Sequence, residues 1–222
     1  MKQMVEKKYT IEYMYLIKSN IYGDYVKKVE LYYVELDKLN EEIINNLPYI
    51  KDEDYLSMNK YSGKKNKLQH LISFYFKRKY LGDFFLNEYG KPLANERFAS
   101  ISHSDNLVIV GVGDTDIGVD VEKVKPVRDD LKRYVTIDSE YEKIKNDTDF
   151  FKVWTAKEAL IKCLGLSISK VKNVPAFPLD GKKEYLDNNI YTKEVVINDY
   201  VIAVCVKETD EFEIIINKEE IQ

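Results

Sequence analysis

The run IGVDVE, Ile117–Glu122, constrains the fold more than any other stretch of the chain. Successive strand side chains point to opposite faces of a sheet. Ile117, Val119 and Val121 therefore share one face, and Gly118, Asp120 and Glu122 share the other. The first face belongs against a core, while the second turns two carboxylates toward something else. Neighbouring sequence repeats the strand habit: strands are predicted around Phe98–Ile101, Leu107–Val112 and Ile117–Val121, separated by the turn-forming SHSDN and GDTD. A sheet must occupy the middle third.

Around it the periodicity changes. Lys8–Ile17 alternates as a strand, and DKLNEEIINNL from Asp37 reads as a short helix. A long helix is expected over Lys64–Leu81, burying Leu68, Leu71, Ile72, Tyr75 and Phe76. The Gly and Pro of NEYGKP mark a turn. A second long helix is expected over Asp149–Leu164, capped by Asp147 or Thr148 and stopped by Gly165 in the left-handed conformation. Strands over Ile190–Val196, Val201–Val206 and Phe212–Ile216 follow. Segregated strands and helices point to α+β. The turn-rich 102–114 region is the best boundary, giving halves of 1–105 and 106–222.

Composition narrows the function. The 222 residues carry a net charge of −4, which argues against nonspecific nucleic-acid binding, and no apolar run is long enough to span a bilayer. The first residues lack the apolar core of a signal peptide. Two cysteines, Cys163 and Cys205, do not make a disulfide framework. A cytoplasmic monomer that engages neither nucleic acid nor membrane is expected. Charge is nevertheless uneven, because Lys60–Lys79 holds seven basic residues and no acidic one.

Three carboxylates can meet by simple geometry. Asp120 and Glu122 share a strand face, and Glu158 lies in TAKEALIK on a helical stripe with Thr155 and Lys162. Such an oxygen-rich set suits Mg²⁺ with substrate phosphate completing the shell, whereas the scattered histidines and cysteines form no zinc pattern. Taken singly, each feature has an ordinary reading. An Asp-x-Glu pair is commonly a solvated face, Glu158 with Lys162 a surface ion pair, His103 a turn residue, and the basic run a solvated helix face. Ser102 and Ser104 have no acid–base partner nearby in sequence, which discounts a nucleophile role.

Their order in the chain lifts them above those readings. GKP, SISHS, IGVDVEK and FFKVWTAKEALIK occur in succession, and the pattern (I/V)G(I/V)D(I/V)E followed by W(S/T)xKE(A/S)xxK is met at every defined position. In this the chain resembles the Sfp-type 4′-phosphopantetheinyl transferases, which attach the coenzyme A arm to carrier proteins. The resemblance runs from about Tyr55 to Val206 and is strongest over Gly90–Gly165.

That resemblance implies two similar α+β halves, each a three-stranded sheet with a long helix, in pseudo-twofold arrangement with coenzyme A between them. It implies Mg²⁺ on Asp120, Glu122 and Glu158, phosphate contacts from Lys162 and His103 beside Ser102, and an adenine end lined by Gly90, Lys91 and Pro92. Trp154 would support the helix carrying Glu158. The partner would be an apo acyl or peptidyl carrier protein whose serine attacks coenzyme A and releases 3′,5′-ADP, with Glu158 as ligand, base or both. One departure stands out: Asp54, Ser57 and Gln69 occupy positions where the family places basic residues for the 3′-phosphate. A substitute set is expected from Lys60, Lys64, Lys65 and Lys67, with His70. Competing readings are a Mg²⁺-dependent phosphohydrolase or nuclease, which would act without a carrier, and a non-catalytic module binding coenzyme A or a carrier, which need not keep all three acids.

Overall fold

Both faces of the Ile117 strand are covered, and that double covering gives the molecule its layers. The computed structural model describes residues 27–95 and 97–221. The strand expected over Lys8–Ile17 lies outside them. Described strands are β1 (Lys27–Glu35), β2 (Phe85–Leu86), β3 (Pro92–Leu93), β4 (Phe98–Ser104), β5 (Leu107–Gly113), β6 (Ile117–Lys123), β7 (Gly181–Tyr185), β8 (Asn188–Ile197), β9 (Tyr200–Lys207) and β10 (Phe212–Lys218). Helices are α1 (Glu41–Asn45), α2 (Asp52–Met58), α3 (Lys64–Leu81), α4 (Asp129–Val135), α5 (Asp138–Tyr141) and α6 (Asp147–Leu164).

The fold is α+β. Two four-stranded sheets run in the orders β10-β1-β5-β4 and β6-β9-β8-β7. Ile117, Val119 and Val121 of β6 join Ile202, Val204 and Val206 of β9 in a core shared with Val29, Leu31, Leu107 and Ile109 of the first sheet. Helix α3 covers the outer face of the first sheet: Leu71, Ile72, Tyr75 and Phe76 pack with Ala99, Val108 and Val110. Helix α6 covers the outer face of the second, packing Phe150, Ala156, Ala159, Leu160 and Cys163 against Val201, Ala203 and Cys205. The order of layers is helix, sheet, sheet, helix.

Close approach at the seam depends on two glycines. A Cβ on Gly118 would stand 1.8 Å from the Ala159 carbonyl oxygen and 2.4 Å from the Cys163 nitrogen, so α6 can lie on β6 only with glycine there. On β5, a Cβ at Gly111 would meet Val119 Cγ2 at 2.3 Å.

Several expectations need correction. Each sheet has four strands rather than three. The expected division at 105/106 cuts the β4–β5 hairpin, in which Ser104 pairs with Leu107, and places β5 in the wrong half. Strand β10 returns to the first sheet, parallel to β1, with Lys27 opposite Phe212. The residue after it anchors this return: Glu219 accepts hydrogen bonds from Tyr75 Oη at 2.7 Å and Tyr80 Oη at 3.1 Å, and pairs with Lys79. Helix α6 is capped by Asn146, whose side chain accepts from the Asp149 N–H at 2.9 Å. Its expected end holds, with Gly165 at φ 62 and the Leu166 N–H donating to the Ile161 carbonyl. The DKLNEEIINNL segment forms a 3₁₀ turn, Leu36–Lys38, followed by α1.

Candidate active site

The site lies where two edge strands meet. Strand β4 ends the first sheet and β6 ends the second, so the backbone N–H groups along the outer edge of β6 lack a strand partner. Serines at alternate positions of β4 supply it. Ser100 Oγ accepts from Val119 N–H at 2.9 Å, Ser102 Oγ from Val121 N–H at 3.4 Å, and Ser104 Oγ from Lys123 N–H at 3.1 Å. A buried N–H left unpaired would cost about 1–3 kcal/mol, which explains why small hydroxylic residues stand at this spacing.

Two of these hydroxyls also reach the carboxylates. Ser102 donates to Asp120 Oδ1 at 2.7 Å, and Ser104 donates to Glu122 Oε2 at 2.5 Å. Lys162 projects from α6 into the same place, 2.6 Å from Asp120 Oδ1, 3.0 Å from Ser102 Oγ and 3.6 Å from Glu158 Oε2. Asp120 is buried, and its second oxygen, Oδ2, has no hydrogen-bond partner.

Electrostatics follow from this crowding. Burial, with the Asp120 charge next, raises the Glu158 carboxyl to about 7. Burial also raises Glu122 above the usual carboxylate range. For Lys162 burial opposes the charge, but Asp120, Glu158 and Glu122 together outweigh it and hold the ammonium protonated. Among the described residues, no three His, Cys, Asp or Glu side chains converge closely enough to hold a metal ion as they stand, because the Lys162 ammonium lies among the carboxylates.

Beside this cluster opens a cleft of about 650 Å³. Glu158, Lys162, His103, Lys91 and Pro92 line it, and so does His70. His103 has its pKa lowered by partial desolvation in the cleft and then by Lys162. His70 is lowered to about 4, by burial first and the Lys77 charge second, and its ring lies 4.1 Å from that of Tyr61. At neutral pH His70 is uncharged. The Lys91 ammonium is engaged within the protein, donating to the Cys163 carbonyl at 2.6 Å and pairing with Asp116.

The expected lysine set is not brought to this cleft. Lys60, Lys64, Lys65 and Lys67 are absent from its walls. Lys65 pairs with Asp105, while Lys64 and Lys67 border a separate hollow beside α1. Asp54 is a buried acceptor for Arg78, at 3.1 Å, and Gln69 donates to the Asp105 carbonyl. Of the lysines carried by α3, the one that lines the cleft is Lys77, which stands 5.0 Å from the centroid of the Phe74 ring. Its pKa is lowered by burial. Sequence reading treated Lys77 as one more member of a solvated run; its spacing of seven from His70, two helical turns along one face, was the available signal.

The motif lysine between Ala156 and Glu158 is fully buried. Lys157 Nζ pairs with Glu140 Oε2 at 2.6 Å and donates to the Val135, Val171 and Lys172 carbonyls, each at 3.1 Å. Trp154 is partly buried against the α6 core, as expected, but also borders a second groove with Glu122, Lys125, Leu131 and Tyr134.

Comparison with known proteins bears directly on these residues. The family model described as the 4′-phosphopantetheinyl transferase superfamily matches residues 116–205, which contain Asp120, Glu122, Glu158 and Lys162. The chain is 35% identical over 100 residues to 4′-phosphopantetheinyl transferase HetI of Nostoc sp., covering 38% of this chain and 42% of that protein. It is 34% identical over 96 residues to 4′-phosphopantetheinyl transferase Sfp of Bacillus subtilis strain 168, covering 39% and 42%. Over a longer 156 residues it is 26% identical to 4′-phosphopantetheinyl transferase gsp of Aneurinibacillus migulanus, covering 62% and 66%.

Over residues 116–205 the chain is similar to the 4′-phosphopantetheinyl transferase superfamily. The similarity spans from about two fifths to just under two thirds of the length of these relatives. Within this matched segment, Asp120, Glu122, Glu158 and Lys162 meet at the seam between the sheets, and the SISHS strand hydrogen-bonds to Asp120, Glu122 and Lys162.

Proposed function

We propose that this protein, a cytoplasmic monomer, transfers the 4′-phosphopantetheine arm of coenzyme A to a serine of an apo acyl or peptidyl carrier protein and releases 3′,5′-ADP. The observation that carries this reading is the cluster of Asp120, Glu122, Glu158 and Lys162, whose members Glu158 and Lys162 line a cleft large enough for a nucleotide-sized ligand. Asp120, Glu122 and Glu158 would hold Mg²⁺. The fit rests on the unpartnered Asp120 Oδ2, which a divalent cation would satisfy; Glu158 is raised by burial first and by the Asp120 charge second, and a cation would offset the second. When bound, Mg²⁺ supplies Lewis-acid stabilisation of charge developing on the diphosphate.

The chain's own residues do the rest. Lys162 and His103 donate hydrogen bonds to phosphate oxygens, and Lys77 is the cation best placed for a further phosphate. The carrier serine oxygen forms its bond to the β-phosphorus as the bond to 3′,5′-ADP breaks. Glu158 receives the serine proton, a role its place on the cleft wall allows. The carrier docks along the groove of Lys125, Leu131, Tyr134 and Trp154, which shares Glu122 with the site. Its exposed apolar rim and the cation Lys125 suit an acidic helix.

Intact-mass measurement of apo acyl and peptidyl carrier proteins, after incubation with this protein, coenzyme A and Mg²⁺, tests the reading. A phosphopantetheine increment on the carrier, absent with Asp120→Asn, is the expected result. Carriers of both kinds left unmodified by a folded protein would overturn it.

A further inference from the structure

The serine ladder between the sheets has a role beyond satisfying backbone donors. Ser100, Ser102 and Ser104 lie on one face of β4, opposite Gly111, Ile109 and Leu107 of β5. Each hydroxyl accepts one β6 N–H, at Val119, Val121 and Lys123. A hydroxyl has one proton to give. With its oxygen fixed by a backbone donor, that proton has a restricted set of directions. In Ser104 it points to Glu122 Oε2, the carboxylate of the residue immediately before the N–H that Ser104 accepts. Ser102 is arranged in the same way, accepting from Val121 and donating to the preceding Asp120. Ser100 accepts from Val119, whose predecessor is Gly118, so no carboxylate stands at that rung.

We infer that Ser104 is a positioning residue: by clamping Glu122 Oε2 from the neighbouring sheet it fixes the orientation in which Glu122 presents its other oxygen to a divalent cation. This rests on the Mg²⁺ reading above. Glu122 most needs such a clamp. It is half-buried at the end of the alternating run, whereas Asp120 is enclosed and already tied to Lys162. Partners that orient metal-binding carboxylates typically change affinity about 10–100-fold when removed. The two sheets are thus coupled through the ligand set, since any sliding of β4 along β6 would turn Glu122 away.

Ser100 and Ser104 provide the internal comparison, because each makes one backbone bond and only Ser104 reaches a carboxylate. The experiment measures Mn²⁺ binding by electron paramagnetic resonance, together with thermal melting, for the unmutated protein, Ser100→Ala, Ser104→Ala and Ser104→Thr. The expected result is a loss of Mn²⁺ affinity of about tenfold in Ser104→Ala. Ser104→Thr should recover most of it, and Ser100→Ala should bind as the unmutated protein does while melting lower. Equal affinity in Ser104→Ala and the unmutated protein would overturn the clamp and leave the metal reading standing. An unmutated protein that binds no Mn²⁺ would overturn the metal reading and the clamp together. If Ser104→Ala unfolds, the folded Ser104→Thr and Ser104→Cys variants decide. Retained affinity in Thr with loss in Cys, a poor donor, supports the clamp, and equal affinity in both refutes it.

Discussion

The Lys162 ammonium lies 2.6 Å from Asp120 Oδ1, joining two residues 42 positions apart on facing elements. This pair gives the site a cation of its own before any ligand arrives. It also divides the acid–base roles. Lys162 keeps its proton because three carboxylates surround it, whereas Glu158, buried beside Asp120, sits near the midpoint of its titration at neutral pH.

Glu158→Gln should lower kcat by about 10²-fold or more while changing KM for coenzyme A only slightly, because a base acts on the attacking hydroxyl and not on the bound nucleotide. Steady-state kinetics at saturating Mg²⁺ and carrier read this. An effect confined to KM would show that Glu158 only holds substrate.

Lys77→Met should raise KM for coenzyme A by about tenfold, the size of a charge-assisted contact of ~1.5 kcal/mol, with kcat nearly unchanged. Gln substitution of Lys60, Lys64, Lys65 and Lys67 should have little effect, since none of the four lines the cleft. Kinetics with coenzyme A varied at low salt compare them. The reverse ranking would restore the phosphate to the start of α3.

Leu131→Asp and Tyr134→Ala should each raise KM for the carrier by about tenfold and leave KM for coenzyme A unchanged. Both side chains are exposed on the groove beside Trp154, and truncating an interface anchor commonly costs more than ~1 kcal/mol. Parallel titrations of the two substrates check the split. A shift in both KM values would mean that the substitutions disturb the fold and not a docking surface.

Gly118→Ala should cost about 3 kcal/mol or more, because the added methyl meets backbone atoms of α6 that cannot rotate away. Gly111→Ala should cost less, since it meets side-chain atoms of Val119, Ile117 and Leu31. Urea denaturation ranks the two.

The His70 pKa of about 4 makes a pH prediction. Between its folded value and the ordinary 6.5, the unfolded chain binds more protons, so stability rises with pH across that window. The contribution is complete above about 6.5 and lost as pH falls toward 4. Melting curves of His70→Phe should therefore show a shallower acid limb than those of the unmutated protein; parallel limbs would contradict it.

Much of this architecture could be read before any coordinates. Helix α3 matches its expected bounds, Lys64–Leu81, because an uninterrupted apolar stripe meets Gly82 at its end. The pairing of Asp120 with Glu122 and the stripe of Glu158 with Lys162 followed from periods of two and 3.6. Sequence could not show that both faces of β6 are buried, because its carboxylate face reads as solvated unless the helix that covers it is known. Nor could it show that β10 leaves its hairpin neighbours for β1, a choice made by long-range pairing. Which lysine of α3 lines the cleft was hidden for a similar reason: charge counts along the helix do not reveal which cations turn inward, and Lys77 turns inward while Lys65 turns to Asp105.

The return of β10 to β1 sets the order in which the molecule can be completed. Lys27–Tyr33 finds its parallel partner in Phe212–Lys218, and Glu219 then fastens to Tyr75 and Tyr80. During synthesis the first sheet therefore presents an unpaired edge until nearly all of the second half has left the ribosome. A contact of such sequence separation closes late and slowly. The halves resemble modules but mature as one cooperative unit, and a fragment ending before Phe212 would carry an open, Val- and Tyr-rich strand available to other chains.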